Sequence, residues 1–160
     1  MAIRKIREYG DEILKKQSKE VEKVDDKIKE LIKDMFETMH KANGLGLAAP
    51  QIGILKRIIV IDLYDEGGKY ALVNPVIIEA KGKQIVSEGC LSFPQQFAKV
   101  ERPEEVTVKG LDENGDKITL VAKGLLAQAL CHEIDHLNGD LFIEKIIPGT
   151  LEIIKEEENK

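Results

Sequence analysis

The sequence contains no tryptophan, two cysteines, three histidines and five prolines scattered singly. Two thiols in 160 residues, Cys90 and Cys131, are too few for the disulfide framework of a small secreted domain, and a reducing cytosol suits them best. Long hydrophobic runs are also missing. The longest apolar stretches, IIVIDL and GLLAQALC, are far too short to span a bilayer, and MAIRKIREYGDE lacks the apolar centre of a secretory signal. There is no excess of positive charge either: 24 Lys+Arg stand against 29 Asp+Glu, a net charge of −5 with the signs interspersed, which leaves no broad basic footprint for nucleic acid or anionic lipid. No repeat, low-complexity tract or linker divides the chain. What is present, 42% hydrophobic and 33% charged residues, is enough to bury a core and excludes a disordered tail, a collagen and a coiled coil. The expectation is one soluble, cytoplasmic domain over residues 1–160, without nucleic-acid specificity and without a membrane.

Helical periodicity appears twice. From Asp26 to Ala42, apolar Ile28, Leu31, Ile32, Met35, Phe36 and Met39 recur at helical spacing, with Asp25 or Asp26 as N-cap and Gly44 near the stop. From about Lys123 to Leu137, Leu125, Leu126, Ala129, Leu130, Ile134 and Leu137 form a second stripe ended by Asn138-Gly139. Between them, IIVIDL, YALV, VIIEA, KQIV, EVTVKGL and KITLVA are β-branched runs separated by the turn signals EGGK, NP, KGK and DENGD. The terminal LEIIKEEENK reads as a short or frayed helix. Grouped strands between two helices predict an α+β fold, a mainly antiparallel β-sheet packed around the second helix, with an amphipathic helix on the N-terminal side.

The strongest chemical signal is His132-Glu133-Ile134-Asp135-His136. Positions i and i+4 of a helix share one face, so both imidazoles reach one metal ion with Glu133 beside it. A catalytic site commonly takes a third protein ligand. Extension of the pattern would need a histidine at position 142, where Phe142 stands instead. Cys90, in Ser87-Glu88-Gly89-Cys90-Leu91-Ser92, is the better donor; Glu152 or Glu156 in the polar tail is the alternative, as in a small general metallopeptidase. Cys131, about a hundred degrees around the helix from His132, should face the core. Gly44-Leu45-Gly46-Leu47-Ala48-Ala49-Pro50-Gln51 reads as a loop after the first helix. It is no dinucleotide fingerprint, because no strand precedes it and the third glycine is absent. Its glycines let backbone approach a bound peptide, and Gln51 can offer an amide N–H to a developing oxyanion.

GLGLAAPQ, EGCLS and HEIDH, in this order and spacing, resemble the three motifs of the peptide deformylases, and the resemblance covers nearly the whole chain. It implies a metal-dependent hydrolase that removes the formyl group from the N-terminal formyl-methionine of newly synthesised polypeptides, releasing formate. Carried over by motif, Cys90, His132 and His136 bind one divalent ion, ferrous iron in the cell with zinc, nickel or cobalt able to replace it. Glu133 handles the proton, and Gln51 with the Leu91 backbone N–H stabilises the oxyanion. The resemblance further implies a methionine pocket at Leu45, Val86, Leu125 and Ala129, and peptide pairing with the backbone of Leu45, Gly46 and Gly89. Gln128 departs from the usual apolar character of its stretch, and Phe97 stands where some relatives carry arginine. The implied partners are N-formyl-methionyl nascent peptides, with a transient ribosome contact left open.

Glu88 can hold a ligand imidazole or pair with Arg102, Ser92 and Asp135 can do similar work or cap turns, and His40 is most simply a surface residue. A structural metal site in a binding module is a third reading. It requires four protein donors, and it leaves Glu133 and Gln51 without a role.

Overall fold

Asp25 starts the first long helix, α1 (Asp26–Lys41), by accepting a hydrogen bond from Ile28 N at 2.9 Å on its carboxylate, which satisfies an amide that the first turn leaves open. Ile28, Leu31, Ile32, Met35 and Met39 are buried along one face of α1. Asn43, with a φ of 58°, turns the chain out of the helix. The computed structural model describes residues 2–154.

Eight strands follow: β1 (Gly46–Ala48), β2 (Ile58–Asp62), β3 (Lys69–Lys81), β4 (Gln84–Cys90), β5 (Phe93–Arg102), β6 (Glu105–Leu111), β7 (Lys117–Lys123) and β8 (Glu152–Ile153). They form a five-stranded sheet in the order β1-β2-β3-β6-β7 and a three-stranded sheet in the order β4-β5-β8, with antiparallel pairing throughout. The fold is α+β. The second helix, α2 (Gly124–Leu137), begins directly after β7 and ends at Asn138.

Alternation along β2 explains how the layers assemble. Ile59 and Ile61 join Leu72, Val106, Val108 and Ala122 against Ala127, Leu130, Cys131, Ile134 and Leu137 of α2. Ile58 and Val60 face the other way, with Leu47 and Val73, onto the buried face of α1. Helices on both sides of the sheet thus account for a strand buried at every position. A third cluster of Leu14, Phe93, Ala98, Val100, Leu141 and Phe142 seats the smaller sheet. Each large aliphatic side chain buried in this way contributes about 1.5–3 kcal/mol.

Three local expectations are corrected, and one strand is added to those the pattern predicts. YALV and VIIEA belong to one strand, β3, and the Asn74-Pro75 step expected to be a turn is a register shift within it. Pro75 has no N–H for the ladder, while Asn74 turns its side chain to Val21, accepting from Val21 N and donating to Val21 O at 2.8 Å each. GLA, read as loop, is β1, paired with β2. FPQQFAKVER, left unassigned, is β5: only Phe93, Ala98, Val100 and Arg102 of it are buried, so its sequence carries little apolar alternation. At the C-terminal end, Glu152 and Ile153 pair with Phe97 and Gln96 as β8 and form no helix; residues 155–160 of that expectation lie outside the described residues. Among the described residues no helix is long and apolar enough to cross a membrane.

Candidate active site

β1 and β4 are edge strands of their two sheets, and a cleft of about 610 Å³ lies between them, floored by α2. Leu45, Gly46, Gln51, Gly89, Cys90, Leu91, Leu125, Gln128, Ala129, His132 and Glu133 line it. Val86 does not. It packs against the cluster containing Phe93 and Val100 and leaves that part of the expected pocket to other residues. Phe97 reaches the cleft by lying over Gly89, where a Cβ would stand 2.6 Å from the ring.

Helical spacing does what the sequence requires of it. The rings of His132 and His136 stand 5.0 Å apart on one face of α2, and Cys90 Sγ, at the end of β4, lies 3.2 Å from His136 Nε2. The ligand atoms of Cys90, His132 and His136 all fall within 4.8 Å of one another. Four donors around a tetrahedral zinc-sized ion are about 3.3–3.8 Å apart, so one thiolate and two imidazoles at these separations fit a metal ion and leave a position open. The alternative donors do not gather there. Glu152 is exposed on β8 beside Phe97, and Glu156 lies outside the described residues. Phe142, at the position where a further histidine would sit, packs 5.9 Å from the His132 ring and edge-on to Phe93.

A buried ionic chain fixes His132. Its Nδ1 is 2.5 Å from Glu88 Oε1; Arg102 donates to both oxygens of Glu88 and, through Nη1, to Asp135 Oδ2 at 2.6 Å. Lys145 Nζ closes the chain on Asp135 at 3.0 Å. Glu88 therefore serves both roles considered for it, and Asp135 holds Arg102 instead of capping a turn. Nδ1 donating to Glu88 would leave the Nε2 lone pair of His132 free for an ion shared with Cys90 and His136. Burial raises the Glu88 pKa, but the bonds from His132 and Arg102 outweigh it and bring the carboxyl down to about 2. Gln128 donates to Ser87 O at 3.2 Å and Glu88 Oε2 at 3.3 Å, so its polar end faces this chain from the cleft wall. The link from Gln128 escaped the sequence reading, because residues 40 apart leave no local signal.

Glu133 is almost fully buried, and burial pushes its carboxyl up to about 7. Among the described residues its Oε1 has no hydrogen-bond partner. Gln51 is oriented from behind: its Oε1 accepts from Ala48 N at 2.9 Å, which turns Nε2 toward Ser92 Oγ at 3.0 Å and Cys90 Sγ at 3.5 Å. Ser92 is thus a buried partner of Gln51 and caps no exposed turn. Cys131 faces the core as expected, its thiol pushed up to about 11 chiefly by burial. His40 is no free surface residue, since its Nε2 lies 2.8 Å from Asp62 Oδ2.

A family model described as polypeptide deformylase matches residues 3–151. The chain is 55% identical over 146 residues to peptide deformylase 1 of Clostridium acetobutylicum, covering 91% of this chain and 96% of the relative. It is 57% identical over 147 residues to the peptide deformylase of Acetivibrio thermocellus, covering 92% and 85%. The crystal structure of a peptide deformylase from Legionella pneumophila superposes with a TM-score of 0.88 at 48% identity, over 92% of this chain and 88% of that one. Identity at this level over nine-tenths of the chain, on a shared fold, leaves one assignment: the chain belongs to the polypeptide deformylases, metal-dependent hydrolases that remove the N-formyl group from nascent peptides.

Proposed function

We propose that this protein hydrolyses the formamide of N-formyl-methionyl peptides in the cleft between β1 and β4. The observation that carries the reading is a buried carboxyl, Glu133, held near neutral pKa next to a Cys/His/His donor set that closes only three sides of an ion. A structural site would need a fourth protein donor and no base.

Cys90, His132 and His136 would hold one divalent ion, ferrous iron in the cell, with zinc, nickel or cobalt suited to the same donors. Bound there, it supplies Lewis acidity toward the formyl oxygen and lowers the pKa of a coordinated water. Glu133 takes the proton of the attacking water on its free carboxylate oxygen and returns it to the leaving amine; a pKa near 7 suits both transfers. Gln51 Nε2–H donates to the oxyanion, joined by the Leu91 N–H, and loss of one such donor costs ~3 kcal/mol by oxyanion-hole precedent.

Two facing edge strands suit an extended peptide, whose backbone pairs with Leu45 and Gly46 on one side and Gly89 on the other. Leu45, Leu125, Ala129 and the stem of Gln128 supply the wall for the methionine side chain. A transient contact with the ribosome belongs to this reading because nascent chains emerge there, and a cytoplasmic setting agrees with two unpaired thiols. Formate release from a formyl-methionyl tripeptide, with metal content measured on the same anaerobic sample, tests the proposal. Formate release at about one ion per chain, with the amide bonds of the unformylated tripeptide left uncleaved, is expected; a fully metallated protein that releases no formate refutes it.

A further inference from the structure

Residues 42–45 join α1 to β1 and line the cleft. One carbonyl of this link is held by a side chain, and the next by backbone, of a cluster that takes no part in the chemistry above. Tyr64 Oη donates to Gly44 O at 3.0 Å, and Asp62 N donates to Leu45 O at 2.9 Å. The Asp62 carboxylate is itself shared: Oδ1 accepts from Tyr64 N at 2.9 Å, and Oδ2 lies 2.8 Å from His40 Nε2. His40, in the last turn of α1, stacks on Phe36 with ring centroids 6.0 Å apart and tilts against Tyr64 at 5.7 Å.

Tyr64 adopts a φ of 57°, a left-handed conformation that bulky side chains seldom take and that persists where the surroundings over-determine it. Its N–H, its ring and its hydroxyl are each fixed, and the outcome is a phenol half exposed to solvent yet aimed at a glycine carbonyl on the cleft rim. Glycine stands at position 44 within the link and at position 46 where β1 begins, the residue type with the greatest backbone freedom.

We propose that His40, Asp62 and Tyr64 form a clamp that sets the Gly44–Gly46 rim in the extended form a peptide must pair with, and so act as positioning residues for substrate binding. The proposal rests on the reading of this cleft as the formyl-peptide site. Pre-ordering the rim spares the substrate the entropy of ordering it, and it acts on bound substrate and transition state alike, so its effect falls on KM and leaves kcat in place.

Tyr64→Phe deletes one oxygen and keeps the ring. KM for a formyl-methionyl tripeptide is expected to rise about fivefold, the worth of one hydrogen bond, with kcat within about twofold. Amide hydrogen exchange over residues 44–48 is expected to quicken in the same variant. His40→Gln, which can still donate to Asp62, is expected to stay nearer to wild type in KM than His40→Ala. Exchange over 44–48 that matches wild type, or a loss confined to kcat, overturns the clamp. Wild-type protein that releases no formate overturns the assignment of function instead, and the exchange comparison then decides the clamp alone.

Discussion

Gly46 lies against Glu133 so closely that a Cβ at position 46 would stand 2.5 Å from Oε2 and 3.0 Å from Cδ. The glycine therefore makes room for the carboxyl proposed as base, where the sequence pointed only to the approach of a peptide. Gly46→Ala should fold, since the displaced atoms are the end of a flexible side chain, and should keep its metal. A shift of the carboxyl by about 1 Å should lower kcat about 10²-fold; kcat unchanged at equal metal content would show that Glu133 tolerates the shift. At this scale, legibility followed distance along the chain. His132, Glu133 and His136 were readable because one helix turn fixes their relation. The salt-bridge chain from Glu88 through Arg102 to Asp135 spans 47 positions and was readable only as alternatives, while Gln128 and the partner of His40 gave no local sign.

α1 was legible to within a residue, because its N-cap and its apolar stripe are both local. Its capping bond can be tested directly: Asp25→Ala should cost about 1 kcal/mol, a fall in Tm of about 2–4 °C for a domain of this size, without altering metal content. A melting temperature unchanged from wild type would mean that solvent satisfies the Ile28 amide as well as the carboxylate does. β5 stayed hidden because half of its residues face solvent and its inward side includes Arg102 in place of an apolar residue. β8 was mistaken for helix because two residues gain strand geometry only from their partner on β5. The bulge at Asn74-Pro75 looks like a turn in sequence, and only Val21, 53 positions away, makes it part of a strand.

Across the whole molecule, composition and the grouping of strands sufficed for the α+β class, whereas the division into two sheets did not follow from pattern. The sheet each strand joins is decided by which helix face or apolar cluster it meets, which its own pattern of burial does not encode. The N-terminal segment is tied to α1 by the buried Asp34 carboxylate and by Thr38, whose Oγ1 accepts from Arg4 N at 2.9 Å. Asp34 accepts from Ala2 N at 2.7 Å and from Arg4 Nε and Nη2 at 3.1 and 2.9 Å. Burial alone would raise its pKa, but the Ala2 N–H and the Arg4 guanidinium lower it further than burial raises it, to a net value below the ordinary 3.8. A carboxyl with a folded pKa below its unfolded one stabilises the protein at pH above the unfolded value and loses that contribution as pH falls through the folded one. Asp34→Asn should therefore be less stable than wild type in urea at pH 7, and the difference should shrink as pH drops below 3.8. A difference independent of pH would assign the loss to packing instead of charge.

The central chemical proposal is Glu133 as the group that moves the proton. The decisive measurement is kcat/KM for a formyl-methionyl tripeptide with Glu133→Gln and wild type compared at equal, measured metal content. A general base of this kind contributes about 10²–10⁴-fold, so the variant should lose at least 10²-fold while retaining its ion. Turnover within a few-fold of wild type would contradict the mechanism, whatever the sequence relationship.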